Sequence, residues 1–183
     1  QMSSGVRFLE EYSGRDDVTK LAMDTFWLRG PGGVAAVSQF NERIAPSGTR
    51  YSYASAETQV LGLVLAHAVG RPLSASLQEK IWQPIGAEPD ASWLVDRAGQ
   101  ESTFCCLNVV LRDWGRLGLL LAHEGNWRGR QIIPAAWIRE ATSVRPEQPY
   151  LAPRTATRTC RSIPTFSTSP ARPMTRSTQA LRS

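Results

Sequence analysis

An abrupt change of composition near Gln148 divides the chain into two parts that cannot fold alike. Residues 148–183 contain six arginines but no lysine, aspartate, glutamate or glycine, and they are rich in Thr, Ser, Pro and Ala. No apolar period of 2 or 3.6 residues runs through them, so they cannot bury enough apolar surface to offset their chain entropy. We therefore expect one folded domain over residues 1–147 and a disordered, low-complexity basic tail over residues 148–183.

The net charge of +5 belongs to the tail and not to the domain. Residues 1–147 hold all 16 acidic residues and 15 of the 21 basic ones, which gives them a net charge of −1. Because the domain is nearly neutral, we expect no nucleic-acid partner for it. Three interpretations of the tail stay open: an arm that binds anionic partners, a solvated linker, and an out-of-frame translation of GC-rich DNA. The abrupt loss of glycine, lysine and acidic residues favours the third.

Helical periodicity dominates the second half of the domain. Val60, Leu61, Val64 and Leu65 recur with the spacing of a helix, with Ser55 or Thr58 placed to cap it and Gly70 placed to end it. Residues 1–52 predict mostly loop with one or two short helices, and the glycine cluster at residues 30–33 predicts a plain loop. The remaining predicted elements are helices over Leu73–Ile81, Val109–His123 and the residues after Pro134, and a strand over Ala91–Val95.

Metal, cofactor and membrane functions have no support in the sequence. His67 and His123 are the only histidines, and the three cysteines form no C-x-x-C pair, so we expect neither a metal site nor a cofactor. Neighbouring cysteines do not easily form a relaxed disulfide, so Cys105 and Cys106 are expected to be two small, half-buried residues. No run approaches the ~18 apolar residues of a membrane helix, and the first residues do not resemble a signal peptide.

A Tyr-x-Ser sequence on a loop before a helix carries the one specific chemical signal. Tyr53 and Ser55 lie within the segment Pro46–Gly62, immediately before the predicted helix. A loop tyrosine held against a cation can have its pKa lowered from about 10, and its phenolate can then act as a general base toward a serine hydroxyl. A lone tyrosine in such a position is usually a packing residue, so Tyr53 and Ser55 gain a chemical interpretation only from the segments around them.

Four motifs together resemble the serine β-lactamase-related superfamily, which includes the class C β-lactamases and penicillin-binding proteins. The segment Pro46–Gly62 is similar to the family's P-G-x-x-(F/Y)-x-Y-x-(N/S) element, which precedes a helix ending in L-G. Met2–Gly5 is similar to its M-S-S-G, Arg112–Gly118 to its R-D-x-x-R-x-G helix, and Gly129–Trp137 to its G-(K/R)-x-I-(I/V)-(P/S)-x-x-W segment. The four matches occur in the family's order over about residues 1–143.

The resemblance implies an α/β fold of the β-lactamase/transpeptidase type, mainly its helical lobe with much of the antiparallel sheet missing. Glu10–Tyr12 fits the E-x-Y element of the branch that contains the 6-aminohexanoate-dimer hydrolases and related esterases. By resemblance, Tyr53 would be the general base and proton shuttle, Ser55 a hydrogen-bonding partner in the site, and Tyr12 a substrate contact near the amide. The implied activity is hydrolysis of a small-molecule amide or ester through a serine acyl-enzyme.

The sequence departs from the family at the nucleophile. In the family, M-S-S-G follows a helix that carries S-x-x-K, and this chain contains no S-x-x-K; its only lysines are Lys20 and Lys80. We therefore expect a domain truncated at its N-terminus and inactive by itself. Two alternatives stay open: a catalytically dead scaffold, and a helical module whose Arg-rich tail binds polyanions. Substrate identity, localisation and oligomeric state have no signature in the sequence.

Overall fold

A computed structural model describes residues 2–27, 30–88 and 91–143, together with the backbone of residues 178–181. Its elements are six helices and five short strands within these ranges. The helices are α1 (Asp17–Phe26), α2 (Gly33–Ser38), α3 (Ser55–Val69), α4 (Leu73–Leu77, continued by a π-helical turn over Gln78–Trp82), α5 (Leu111–Ala122) and α6 (Ala135–Thr142). The strands are β1 (Ala91–Leu94), β2 (Leu107–Asn108), β3 (Asn126–Trp127), β4 (Arg130–Gln131) and β5 (Thr178–Leu181).

The strands form two small antiparallel sheets. In the first, β1 lies between β2 and β5, with Ser92 opposite Asn108 on one side and Ala180 on the other. The second is the hairpin of β3 and β4. The described part is therefore a helix-rich α/β structure with little sheet, which confirms the expected fold class. Strand β5 lies inside the segment predicted to be a disordered tail, and residues 148–177, 182 and 183 of that segment lie outside the described residues.

The helices predicted from periodicity are confirmed. Helix α3 covers the predicted range and ends at Gly70, whose left-handed backbone (φ 66°) terminates it. Helices α4, α5 and α6 lie where the sequence placed them, and β1 occupies four of the five residues of the predicted strand. Three of the four residues of the glycine cluster are loop, as predicted, and the fourth, Gly33, is the first residue of α2.

Two hydrophobic clusters hold the described elements together. The first packs the N-terminal segment and α1 against α2 and the start of α3, and the second packs α5 against the π-helical turn, β1 and the β3–β4 hairpin. Their buried members are Phe8, Val18, Leu21, Ala36, Val37, Ala54 and Ala56 in the first, and Trp82, Ile85, Ala91 and Leu120 in the second.

Three helices begin at a backbone amide that is capped by a carboxylate distant in sequence. Gly33 of α2 donates to Asp96 (2.8 Å), 63 residues away, and Ser55 of α3 donates to Glu10 (2.8 Å), 45 residues away. Ser74 of α4 donates to Glu101 (3.0 Å), 27 residues away. The expectation that Ser55 or Thr58 caps α3 is wrong, because the cap residue is Ala54 and a remote carboxylate replaces a local side chain.

The expectation for the adjacent cysteines is also wrong. Cys105 and Cys106 form a disulfide with each other, across a Cα–Cα distance of 3.8 Å. The chain accommodates it with a left-handed backbone at Cys106 (φ 72°), a conformation rare for a residue with a Cβ.

No single helix of the described residues is long and apolar enough to cross a membrane. Only the pair Ser55–Val69 and Leu73–Trp82 passes that test when taken together, and it is bent by 76°.

Candidate functional site

The proposed base and its partner lie where the chain enters α3. Tyr53 belongs to the extended segment before the helix, and its side chain is 52% exposed. Ser55 is the first residue of α3 and is 6% exposed. The sequence alternates an exposed tyrosine with a buried serine across Ala54, so one side chain faces solvent while the other faces the N-terminal segment.

Glu10 brings two of the three predicted site residues together, Tyr12 and Ser55. Its carboxylate accepts hydrogen bonds from the backbone N–H of Ser55 (2.8 Å) and from the Ser55 hydroxyl (2.7 Å). It also accepts one from the Tyr12 hydroxyl (2.6 Å). Hydrogen bonds to an ionised acceptor are among the stronger ones in proteins. The structure thus places Tyr12 and Ser55 on one carboxylate although they are far apart in sequence.

Tyr12 and Tyr53 lie close enough to interact electrostatically. The hydrogen bond to Glu10 raises the pKa of Tyr12 to about 12, with smaller contributions from partial burial and from the charges of Glu10, Tyr53 and Asp16. Tyr12 is 72% exposed and has a left-handed backbone (φ 56°). Such conformations are uncommon for non-glycine residues and occur frequently at functional sites. Two exposed phenols therefore share one surface beside a carboxylate.

The M-S-S-G segment also contacts the start of α3. The N–H and hydroxyl of Ser4 donate to Glu57 of the first helical turn (3.1 and 2.6 Å). The Ser52 amide donates to the Met2 carbonyl (3.0 Å). Three segments singled out in the sequence, M-S-S-G, E-x-Y and Y-x-S, consequently meet at one place.

A cavity of about 220 Å³ lies beside these segments. Leu9 and Ser52, the chain neighbours of Glu10 and Tyr53, contribute to its lining together with Ile44 and Arg50. Its walls thus combine aliphatic side chains with a guanidinium group.

The other two motifs form a separate network. On α5, Asp113 is fully buried and accepts a hydrogen bond from Arg116 (2.5 Å), which also pairs with Glu88. The carbonyl of Gly125, the residue before β3, accepts a hydrogen bond from the Ile132 amide (2.8 Å). This bond joins the segment after β4 to the end of α5. Leu117 of the first motif and Ile132 and Ile133 of the second pack against the second hydrophobic cluster, and neither motif has a described contact with Glu10 or Tyr53.

Among the described residues we find neither a cluster of potential metal ligands nor a lysine bonded to Tyr53. No group of three or more His, Cys, Asp or Glu side chains that could hold a metal ion occurs in ranges 2–27, 30–88 and 91–143. Lys20 and Lys80 are exposed on α1 and on the π-helical turn, and neither makes a described contact with Tyr53.

Glu10 is the central residue of the candidate site to which the sequence alone assigns no role. In the sequence, Glu10 is marked only as the first residue of the E-x-Y element. The spacing of two residues does place a glutamate beside a tyrosine, but the bond to Ser55 spans 45 residues and has no local signal.

Comparisons with known proteins found similar proteins by sequence and by structure. No model of a known protein family matches the chain. A curated 6-aminohexanoate-dimer hydrolase from Paenarthrobacter ureafaciens is 25% identical over 88 residues, which is 48% of this chain and 22% of that protein. A solved structure from Bacillus anthracis, named for an inferred 6-aminohexanoate-dimer hydrolase, superposes with a TM-score of 0.68 at 24% identity, covering 80% of this chain and 40% of its own.

A second solved structure extends the likeness to β-lactamases. It is named for an inferred β-lactamase from Bacteroides dorei DSM 17855, and it superposes with a TM-score of 0.51 at 22% identity over 75% of this chain and 40% of its own. The chain thus spans well under half the length of each protein to which it is compared. The family resemblance read from the motifs is confirmed at the level of the fold: the described part of this chain has the fold of the β-lactamase-like serine hydrolases.

Proposed function

We propose that residues 2–143 form the tyrosine-bearing side of the active site of a serine hydrolase that cleaves small-molecule amides or esters. The observation that carries the proposal is that Tyr12 and Ser55 both donate to the Glu10 carboxylate at the start of α3, where Tyr53 lies close enough to Tyr12 to act on it electrostatically. The names of the similar proteins support the same class of reaction.

In this proposal Tyr53 is the general base. Its phenolate removes the proton of a serine hydroxyl, whose oxygen attacks the substrate carbonyl carbon. The same proton then passes to the leaving nitrogen or oxygen as the carbon–heteroatom bond breaks, and water later releases the acyl group. Ser55 accepts a hydrogen bond at the edge of this path, and Tyr12 contacts the substrate near the scissile bond.

The nucleophile and the cation that would lower the pKa of Tyr53 have to come from elsewhere, because the sequence contains no S-x-x-K. We accordingly expect the 183-residue chain alone to show no hydrolysis above background and no acylation by a fluorophosphonate or a penicillin. Stoichiometric acylation of the purified chain would contradict this expectation.

A chimera tests the proposed role of Tyr53. Residues 2–143 would replace the structurally equivalent segment of the Bacillus anthracis protein, and turnover of 6-aminohexanoate dimer and of a nitrophenyl ester would be followed. We expect the chimera to be active and Tyr53→Phe to lower kcat by about 100-fold or more, as is usual for loss of a general base. Tyr51→Phe is the matched control, because this tyrosine is equally exposed on the same loop.

Two results would contradict the proposal. One is a chimera that is folded by circular dichroism but inactive while the parent protein is active. The other is a Tyr53→Phe variant as active as the Tyr51→Phe variant.

A further inference from the structure

The carboxylate of Glu10 fixes the direction of two hydrogen bonds in the candidate site. An ionised carboxylate is only an acceptor, so the Tyr12 and Ser55 hydroxyls must both donate their protons to it. Each hydroxyl therefore uses its proton in the hydrogen bond to Glu10. The lone pairs of each hydroxyl oxygen remain able to accept a hydrogen bond from a third group. Tyr53, by contrast, has no described hydrogen bond from its hydroxyl to residues 2–27, 30–88 or 91–143.

The two phenols of the site are consequently not equivalent. Deprotonation of Tyr12 would place a phenolate 2.6 Å from the Glu10 carboxylate, with loss of the hydrogen bond and repulsion between like charges. Although both tyrosines are exposed, only the Tyr12 hydroxyl is bonded to a carboxylate within the described residues.

We propose that Glu10 is a positioning residue of the site: it keeps Tyr12 and Ser55 in their proton-bearing states and so leaves the base role to Tyr53. This inference rests on the proposed function. The bond from the Ser55 amide to Glu10 would be enough to cap α3. The inference therefore assigns to Glu10 a second role.

Titration of the tyrosines separates the two tasks. Tyrosines labelled with ¹³C at Cζ are titrated by NMR in the full 183-residue chain, and the Tyr12 signal is assigned with Tyr12→Phe. We expect Tyr12 to titrate near 12 in the wild type and Glu10→Gln to return it toward the ordinary value of about 10, which is about a 100-fold change in its ionisation constant. Glu11→Gln is the matched control, since the neighbouring Glu11 is exposed and its carboxylate accepts no described hydrogen bond.

Ser55→Ala is a control that tests whether the pKa of Tyr12 changes merely because Glu10 holds α3 less firmly. It removes one bond between Glu10 and α3 but leaves the bond to Tyr12, so we expect Tyr12 still to titrate near 12. A wild-type value near 10 would overturn the inference without any variant having to fold. So would a Glu10→Gln effect no larger than that of Glu11→Gln.

The catalytic part is tested in the active chimera. We expect Glu10→Gln to lower kcat by about tenfold or more with KM changed by less than about threefold, and Glu10→Asp to recover part of the loss. An unchanged kcat would overturn the positioning role. If the chimera itself is inactive while Tyr12 titrates as expected, the proposed function fails and the catalytic role of Glu10 fails with it, whereas its hold on the Tyr12 proton stands.

Discussion

At the scale of single residues, Asp16 organises the loop that carries Tyr12. Its carboxylate accepts hydrogen bonds from the backbone amides of Glu11 (2.8 Å) and Ser13 (3.2 Å), one on each side of Tyr12. It also caps α1 by accepting from the amide and hydroxyl of Thr19 (3.1 and 2.5 Å). One buried carboxylate therefore joins the first helix to the loop of the candidate site.

These hydrogen bonds hold the pKa of Asp16 well below its usual range, and the bond from the Thr19 hydroxyl has the largest effect. Because the folded-state pKa lies below the unfolded value of about 4, the stabilisation by Asp16 is present above about pH 4 and is lost as the pH falls below it. We expect Asp16→Asn to lower the urea midpoint at pH 7 and to differ less from the wild type at pH 3. Glu11→Gln serves as control. An equal difference at both pH values would contradict the assignment.

At the scale of elements, the contact between α3 and the Thr103 loop leaves no room for a side chain at Gly62. A Cβ at this position would lie 2.1 Å from the Thr103 hydroxyl oxygen and 2.3 Å from its methyl carbon. Thr103 cannot simply rotate away, because its hydroxyl donates to the Thr58 carbonyl (3.0 Å) and its amide donates to Gln59 (2.8 Å). The glycine is thus required for close approach of the loop and not for backbone freedom.

We expect Gly62→Ala to reduce the free energy of unfolding by about 1–3 kcal/mol, the usual cost of overpacking. Gly118→Ala on the exposed side of α5 is the matched control. A Cβ there meets nothing within 4 Å, so we expect it to stabilise the helix by about 0.5–1 kcal/mol. Chemical denaturation measures both, and a Gly62→Ala variant as stable as the control would show that the loop moves freely.

The elements also show which parts of the structure the sequence could predict. Helix α3 was predictable because its apolar spacing and its terminal glycine are both local signals. The cap of α3, the role of Glu10 and the start of α2 at Gly33 were not, since each depends on a carboxylate 45 or 63 residues away. The disulfide between Cys105 and Cys106 was missed because it requires an unusual backbone conformation that no spacing rule indicates.

At the scale of the whole molecule, α3 presents its apolar residues outward. Val60, Leu61, Val64 and Leu65 are all exposed, and Leu61 is 67% accessible, whereas the buried residues of the helix are small or polar. A helix that is apolar on nearly every side is normally enclosed by protein. The described residues therefore leave a large hydrophobic surface on α3.

We expect the double variant Leu61→Gln and Leu65→Gln to reduce concentration-dependent self-association while changing the free energy of unfolding by no more than about 0.5 kcal/mol. Leu63→Gln is the matched control on the same helix. Leu63 packs against the first cluster, and we expect its replacement to cost about 1–3 kcal/mol. Sedimentation velocity and urea denaturation measure the two effects, and equal destabilisation by both variants would show that the outer face is packed.

The remote caps of α2, α3 and α4 limit how a gene for this fold can be recombined. Each of these helices begins against an acidic partner encoded dozens of codons away, so a crossover between the two codons would separate a helix from the group that starts it. Breakpoints inside the stretch from Glu10 to Glu101 should therefore be poorly tolerated in shuffled libraries. We therefore expect folded members of such a library to take this whole stretch from one parent.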